Sequence, residues 1–190
     1  MIEEQDARRV RIQEDRWAIQ QLLCRWCELV DVHRWDDMAE VFTEDVVGVY
    51  NGKEVPGLQT LIDSGNANMT RETIARTQHN VLNFRIDVAG DEAHCVTNYY
   101  AVHLGAGEFK GEIYSMWGEY NDRLRRTPEG WRIQRRDYTT FFVEGDDRMT
   151  FGGRDPDWEK DTGTERGSDP QAARRRARSA TWQGRNDDGD

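Results

Sequence analysis

The amino-acid sequence predicts one α+β domain, in which helices come first and an antiparallel sheet follows. Apolar residues recur at helical spacing between positions 13 and 33. Four long segments rich in β-branched and aromatic residues come later, and short turns join them. Almost all large apolar side chains precede position 152, since only Trp158 and Trp182 lie beyond it. Helices followed by consecutive strands are typical of α+β architecture.

Composition divides the chain into three zones. Residues 1–13 form a polar lead-in, and residues 14–150 carry nearly all the aromatic and aliphatic content. Residues 151–190 form a charged tail with few aliphatic residues. Such a segment buries too little apolar area to offset the entropy lost on ordering. We therefore predict one folded domain over residues 14–150 and a largely disordered tail over residues 151–190.

The apolar pattern and the turn signals place the individual elements. The first helix is predicted at about residues 13–33, and a short helix follows at about residues 35–42. A strand at residues 46–50 reaches an Asn-Gly turn, which is typical of a hairpin. The remaining elements are expected to be a helix at residues 58–68 and strands at residues 77–88, 93–104, 109–125 and 131–143.

The charge and hydropathy of the chain exclude several classes of partner. The formal net charge is -10 at pH 7. Non-specific nucleic-acid binding requires a positive surface that displaces counterions from phosphate, so no nucleic-acid partner is expected. The sequence lacks a run of about 18 apolar residues, which argues against a membrane span. Its first 16 residues are charged and lack the apolar core of a signal peptide, so we expect a cytoplasmic protein.

Cysteine and histidine spacing gives no metal signature. Cys24 and Cys27 form a C-x-x-C pair, a spacing found in redox-active and metal-binding proteins. This pair lies within an apolar helical pattern, and we interpret it, together with Cys95, as ordinary core thiols of a reducing compartment. The four histidines lack the H-x-x-x-H spacing of zinc sites, and no glycine-rich phosphate loop precedes a helix. The sequence therefore predicts neither a metal nor a cofactor.

Two of the predicted strands mix polar and apolar residues on both faces. Antiparallel strands usually bury one face and expose the other to water. The segments at residues 79–86 and 95–103 do not alternate in this way. A concave sheet face that packs partly on helices and partly around a polar pocket explains the mixture.

Three segments together resemble the SnoaL-like domains of the nuclear transport factor 2-like superfamily. In chain order they read AIQQLLCRWCELVDVHRWDDMAEVFTEDVVGVY, RTQHNVLNFRIDVAGDEAHCVTNYYAVHLG and YNDRLRRTPEGWRIQRRDYTTFFVEGD. The resemblance covers about residues 15–147. It implies a cone-shaped α+β barrel, in which a curved antiparallel sheet wraps around the N-terminal helices and encloses a pocket. Such proteins often form dimers or trimers through the outer sheet face, so the resemblance also implies a homo-oligomer.

Within this superfamily the chain is most similar to the scytalone dehydratase and hexachlorocyclohexane dehydrochlorinase branch. Those enzymes eliminate a small molecule from a cyclic substrate without cofactor or metal. The resemblance assigns their catalytic Asp, near the end of the first long helix, to Asp31. It assigns their catalytic His, at the start of a sheet strand, to His79 and a second pocket His to His103.

The resemblance extends to three further positions. A water-positioning tyrosine of scytalone dehydratase corresponds to Tyr50, whereas its tyrosine just before the catalytic Asp is replaced by Val30. This replacement argues against the same substrate and the same water-activating arrangement. The arginine that the dehydrochlorinase carries on its last strand corresponds to Arg135.

The residues themselves support an acid/base pair. Asp31 lies at the end of the predicted first helix, where a carboxylate opposes the helix dipole by about 0.3–1 kcal/mol and needs a compensating partner. The imidazole of His79 provides one, and a carboxylate holds such a ring in the tautomer that can remove a proton. The alternatives are a solvated Asp31 and a core His79 bonded to a backbone carbonyl.

Further candidates come from strand parity, because alternate residues of a strand share one face. His103 shares its parity with Tyr99 and is either a general acid in the pocket or a structural histidine. Arg135 shares its parity with Trp131 and Ile133. It is either a pocket residue that binds an anion or stabilises developing negative charge, or part of a structural salt bridge or a dimer contact. The aromatic and polar lining suited to a flat or cyclic apolar substrate is predicted at Tyr50, Asn83, Tyr99 and Trp117.

The combination of Asp31, His79 and His103 favours an enzyme. The first hypothesis is a cofactor-independent lyase of the dehydratase type, acting on a small cyclic or polycyclic hydroxylated substrate. His79 would take a proton, Asp31 would orient the imidazole, and His103 or Tyr50 would assist the leaving hydroxyl. The alternatives are a polyketide-type cyclase or isomerase with the same dyad, and a non-catalytic ligand-binding or assembly module.

Overall fold

The computed structural model describes residues 2–50, 52–146 and 148–151, so the predicted disorder of the tail lies outside the described residues. The predicted α+β class is confirmed. The α-helices and strands are, in chain order, α1 (Ile2–Asp31), β1 (Phe42–Tyr50), β2 (Lys53–Pro56), α2 (Leu58–Asn68), β3 (Ile74–Ala89), β4 (Glu92–Gly105), β5 (Ile113–Thr127), β6 (Gly130–Glu144) and α3 (Arg148–Phe151). Two short 3-10 helices lie at Trp35–Glu40 and Gly107–Phe109.

Helix α1 begins at Ile2, well before the predicted start near position 13. Its first turns are exposed to water and rich in Glu, Gln and Arg, which favour a helix. They have no apolar stripe, and apolar periodicity therefore does not detect them. The helix ends in a Schellman motif, in which His33 adopts the left-handed conformation with φ 58°. The His33 N–H donates to the Val30 carbonyl at 3.0 Å, and the Arg34 N–H donates to the Leu29 carbonyl at 2.8 Å.

The six strands form one curved, open sheet in the order β2-β1-β6-β5-β4-β3. All neighbours pair antiparallel except β1 and β6, which run parallel. The sequence predicted an antiparallel sheet throughout. The parallel pair arises because the chain completes four other strands, β2 to β5, before β6 returns alongside β1.

A β-bulge in β6 decides which of its side chains face the interior. Pairing with β5 aligns Ile133 with Leu124 and Arg135 with Arg123, so Gln134 is the extra residue. The inward face therefore passes from Ile133 to Arg136, and Arg135 faces outward.

A second bulge has the same effect in β3. Pairing with β4 is interrupted between Leu82 and Arg85, where Asn83 adopts φ 56°. The packed face passes from Val81 to Phe84, and Asn83 is exposed.

The core lies between the helices and the concave face of the sheet. Two of the three predicted core thiols are buried, at Cys27 and Cys95, whereas Cys24 is exposed on α1; all three are free. Within the described ranges, none of the helices has the length and apolarity needed to cross a membrane. The fully buried aliphatic residues of this core are Ile19, Leu23, Leu29, Val41, Val46, Leu124 and Ile133.

Candidate active site

A cavity of about 460 Å³ opens between the helices and the concave sheet face. Its wall is largely apolar and aromatic, with a small number of polar groups. Such a composition is typical of small-molecule sites, in which a few polar groups orient a mostly apolar ligand. The polar and charged side chains in the wall include His79, His103, Arg136, Tyr50 and Lys53.

Asp31 and His79 meet at this wall. The Nδ1 atom of His79 lies 2.7 Å from Oδ1 of Asp31, which is hydrogen-bonding distance. The side chain of His79 is 8% exposed and that of Asp31 is 23% exposed. A carboxylate only accepts hydrogen bonds, so Nδ1 carries the hydrogen and Nε2 keeps its lone pair for a base.

The backbone of β3 completes the support of the Asp31 carboxylate. The N–H of His79 donates to Oδ1 at 2.9 Å and to Oδ2 at 3.1 Å. The carboxylate at the end of α1 thus receives both a ring and a backbone donor. These bonds supply the compensation that a carboxylate at a helix C-terminus requires.

His103 lies beside the dyad and is almost fully buried. Its ring centre is 5.6 Å from that of His79, at an interplanar angle of 89°. Burial lowers the pKa of His103 to about 3, and the neighbouring His79 acts in the same direction. The Nδ1–H of His103 donates to the Tyr114 carbonyl at 3.2 Å. His103 is therefore neutral near pH 7 and presents Nε2 as an acceptor, which does not favour the general-acid role predicted for it.

Two predicted lining residues, Tyr50 and Tyr99, lie in the cavity wall. Tyr99 stacks on Tyr120 at 4.6 Å and on Tyr138 at 5.2 Å, and Tyr50 contacts Tyr138 at 5.5 Å between ring centres. The Tyr99 hydroxyl lies 3.0 Å from Oγ1 of Thr140. Burial raises the pKa of Tyr50 to about 12, so its phenol keeps its hydrogen at neutral pH.

The predictions for Asn83 and Trp117 as cavity residues are wrong. Asn83 is exposed because the β3 bulge turns it away from the packed face. Trp117 lies on the outer sheet face, where it stacks on Tyr100 at 4.9 Å and on Phe142 at 4.7 Å. On β5 the even-numbered side chains face inward, so the odd-numbered Trp117 faces outward.

The prediction for Arg135 as a pocket residue is wrong as well. Arg135 lies on the outer face, bonded to Glu54 at 3.0 Å and to Asp137 at 3.1 Å. The sequence offered a structural salt bridge as one alternative, and the two ion pairs observed here are partly exposed to solvent. The Gln134 bulge explains the error, because it moves the inward position by one residue.

Arg136 is the cavity residue that strand parity missed. Its Nε and Nη2 donate to the two oxygens of Asp122, at 2.8 and 2.7 Å, and the ion pair is fully buried. One sequence signal pointed to it: Asp122 is the acid among the inward even positions of β5, between Tyr120 and Leu124. A buried carboxylate at such a position needs a cation on a neighbouring strand.

Val30 also lies in the cavity wall, at the position where the resemblance expected a tyrosine of scytalone dehydratase. The replacement of tyrosine by Val30 therefore makes the cavity wall of this protein different from that expected for scytalone dehydratase. Over the part of the chain that the structure describes, no group of three or more His, Cys, Asp or Glu side chains is arranged to hold a metal ion.

Comparison with known proteins identifies similar sequences. A family model described as SnoaL-like domain matches residues 11–137. The chain is 31% identical over 135 residues to the uncharacterized protein Rv2910c of Mycobacterium tuberculosis. That match covers 67% of this chain and 86% of the mycobacterial protein.

Solved structures of the same fold include two whose descriptions concern elimination. A protein from Novosphingobium aromaticivorans, provisionally described as scytalone dehydratase, superposes with a TM-score of 0.62 at 20% identity, over 74% of this chain and 90% of that one. Hexachlorocyclohexane dehydrochlorinase LinA-type3 from Novosphingobium barchaimii superposes with a TM-score of 0.60 at 16% identity, over 70% and 90% of the two chains. At these identities the superpositions establish a shared fold.

Proposed function

Because the chain belongs to the SnoaL-like domain family of the nuclear transport factor 2-like superfamily, we propose that it is a cofactor-independent lyase. The reaction is a dehydratase-type elimination from a small cyclic or polycyclic hydroxylated substrate. The observation that carries the proposal is the 2.7 Å contact between His79 Nδ1 and Asp31 Oδ1 at the wall of an apolar cavity. Two proteins of the same fold, described as a dehydratase and a dehydrochlorinase, support an elimination.

In the proposed reaction, Nε2 of His79 removes a proton from a carbon next to an activating group. Asp31 stabilises the imidazolium that forms, as the carboxylate of an acid/base pair does. The electron pair of the broken C–H bond forms the new double bond, and the hydroxyl on the adjacent carbon leaves with its bonding pair. The proton on His79 then completes the released water.

His103 and Tyr50 take separate parts in this proposal. Neutral His103 accepts a hydrogen bond from a substrate hydroxyl through Nε2 and so orients the leaving group. The protonated phenol of Tyr50 donates a hydrogen bond to the leaving oxygen. The pKa values of about 3 and about 12 support this division, because the first group accepts and the second donates at neutral pH.

The substrate class follows from the shape of the wall. Tyr99, Tyr120 and Tyr138 lie nearly parallel, at interplanar angles between 19° and 32°. Such surfaces favour flat rings through offset stacking. The cavity volume of about 460 Å³ falls within the range of small-molecule sites.

The proposal extends to the setting of the enzyme. One catalytic domain over residues 14–150 works as a homo-oligomer in the cytoplasm, without nucleic-acid or membrane partners. The half-exposed Tyr100 and Trp117 and the exposed Phe142 on the outer sheet face support a contact between subunits.

An isomerase or cyclase with the same dyad is the second candidate. Val30 favours it, because the tyrosine that positions water in scytalone dehydratase is replaced at this cavity position. In an isomerisation, His79 returns the proton to a different carbon and no water is released.

The test is a turnover screen of hydroxylated polycyclic and steroid-like compounds, with products identified by mass. We expect Asp31→Asn and His79→Ala to lose about 10²- to 10⁴-fold in kcat/KM on a substrate of the wild type. Asp137→Asn and His94→Ala, which change residues that do not line the cavity, are the matched controls. Full turnover by both dyad variants on a confirmed substrate would refute the role of the pair. A mass loss of 18 marks elimination, and an unchanged mass marks isomerisation.

A further inference from the structure

The ion pair between Arg136 and Asp122 leaves one donor group unused. Asp122 engages Nε and Nη2 of the guanidinium, at 2.8 and 2.7 Å. Within the described residues Nη1 is buried and has no hydrogen-bond partner. The side chain of Arg136 is 1% exposed, and the residue lines the cavity. A buried donor without a partner is costly, so such a group in a cavity wall points to a ligand acceptor.

Three aromatic rings hold the guanidinium in place. Its carbon lies 4.2 Å from the ring centre of Tyr120, 4.5 Å from that of Trp26 and 5.4 Å from that of Phe42. Cation–π contacts of this kind favour a guanidinium and restrict its rotation. The spare donor therefore has a fixed direction before any ligand binds.

The charge of the guanidinium is already cancelled. An arginine does not lose its proton in proteins, and Asp122 forms a bidentate pair with it. Burial raises the pKa of Asp122, while the charge of Arg136 and its two hydrogen bonds act in the opposite direction. A second carboxylate brought to Nη1 would meet the negative charge of Asp122 and lose its own hydration.

We infer that Nη1 of Arg136 binds a neutral acceptor oxygen of the ligand, a ketone in preference to a carboxylate, and that Asp122 sets this preference. Asp122 acts through Arg136 and is a positioning residue. The inference deepens the proposed function and rests on it, because it takes the cavity as the substrate site.

Trp26 relates this donor to the acid/base pair. The indole ring lies 5.3 Å from the His79 ring and 4.5 Å from the guanidinium carbon of Arg136. The base and the donor thus both contact one aromatic side chain of the cavity wall, and the inference places one cyclic ketone against both of them. When His79 removes the proton next to the carbonyl, the C–H electron pair enters an enolate. The negative charge on its oxygen then faces the Nη1–H of Arg136.

Three ligands of one ring system test the preference in the wild-type protein. They are 1-tetralone, which has a neutral acceptor, tetralin, which has none, and tetralin-1-carboxylate, which is anionic. Calorimetry at pH 7 should give 1-tetralone at least about tenfold tighter binding than either of the others, because its acceptor meets a charged donor. The infrared carbonyl band of bound 1-tetralone should lie below its position in an apolar solvent. Equal or tighter binding of the carboxylate, or an unshifted carbonyl band, would overturn the inference.

Substitution of Asp122 tests the cause of the preference. Asp122→Asn leaves the charge of Arg136 without its carboxylate and should tighten binding of tetralin-1-carboxylate by about tenfold or more relative to 1-tetralone. Asp137→Asn removes the carboxylate beside the outward Arg135 and should leave the ligand order unchanged. An Asp122→Asn protein with the wild-type ligand order would contradict the role of Asp122.

Two further variants allow the outcome to be interpreted. If Asp122→Asn does not fold, the double variant Asp122→Asn/Arg136→Met removes both charges and the donor, and it should lose the tighter binding of 1-tetralone relative to tetralin. A double variant that keeps the wild-type advantage of 1-tetralone over tetralin would count against the inference. His79→Ala should keep the wild-type ligand order, because binding does not require proton transfer. Failure of the lyase proposal appears as unchanged turnover in dyad variants, whereas failure of this inference appears in the ligand order.

Discussion

Two aromatic stacks cross the same three strands on opposite faces of the sheet. Both use rings from β4, β5 and β6, and both have ring centres about 5 Å apart. The inner stack contains Tyr99, Tyr120 and Tyr138, and the outer stack contains Tyr100, Trp117 and Phe142.

The surroundings of the two stacks differ. Tyr99 and Tyr120 of the inner stack are 2% exposed, whereas Phe142 of the outer stack is 57% exposed. The inner stack borders Arg136, so charges near it have left water and depend on protein partners. The same ring chemistry therefore serves a ligand cavity on one face and an accessible surface on the other. What separates the two roles is the burial of the polar groups beside them.

The largest expected contrast concerns the neighbouring arginines. Arg136→Met leaves the Asp122 carboxylate buried without its cation and should lower the free energy of unfolding by about 3–5 kcal/mol. Arg135→Met, on the outer face, should change it by less than about 1 kcal/mol, because its ion pairs are reached by solvent. Urea denaturation measures both. The double variant Asp122→Asn/Arg136→Met should recover part of the loss, and equal effects of the two arginines would break the comparison.

A pH experiment sharpens the comparison at the inner face. The folded protein holds the pKa of His103 at about 3, below the ordinary value of 6.5. Below pH 6.5 the unfolded chain binds a proton at this residue that the folded protein does not accept until about pH 3. The stability that the neutral, buried His103 contributes is therefore complete above pH 6.5 and declines as the pH falls through this window.

We expect the free energy of unfolding of the wild type to fall by about 2–3 kcal/mol between pH 6.5 and 4.5 because of His103. In His103→Asn the amide can still donate to the Tyr114 carbonyl, and this fall in the free energy of unfolding should be absent. The measurement is the free energy of unfolding of both proteins across that range. Parallel pH profiles would show that His103 is not held neutral.

The smallest expected difference in stability is that between substitutions of two consecutive tyrosines, Tyr99 and Tyr100. Tyr99→Phe removes the buried hydroxyl that lies 3.0 Å from Thr140 and should cost about 1 kcal/mol of unfolding free energy. Tyr100→Phe changes a half-buried ring of the outer stack and should stay within about 0.5 kcal/mol. Thermal melts of the two variants, compared with the wild type, measure the difference. A larger effect at Tyr100 would contradict the assignment of the two faces.

Local chemistry made most of the elements predictable. Helix α2 occupies the residues predicted for it, 58–68, and the hairpin between β1 and β2 forms at Gly52, whose φ of 82° suits a tight turn. The four long strands agree with the prediction within about four residues at each end. The start of α1 was missed because a charged, exposed helix has no apolar periodicity.

The residues of the candidate site also divide into those that the sequence predicted correctly and those that it misplaced. The residues Asp31, His79, His103, Tyr50 and Tyr99 were predicted and lie in or beside the cavity. Asn83 and Arg135 were misplaced because each follows a strand parity that a bulge interrupts, and Trp117 because its strand presents even positions inward. No local pattern marks a bulge, since the extra residue is defined by the partner strand.

From the sequence alone, periodicity and composition established the α+β class, and three segments in order established the family resemblance. The resemblance in turn implied that Asp31 and His79 meet. The parallel pairing of β1 with β6, and the inward Arg136 beside the outward Arg135, became evident only in the folded protein. Side-chain direction in a sheet depends on the register between strands that are distant in the chain. A single extra residue reverses it without any change in local preference.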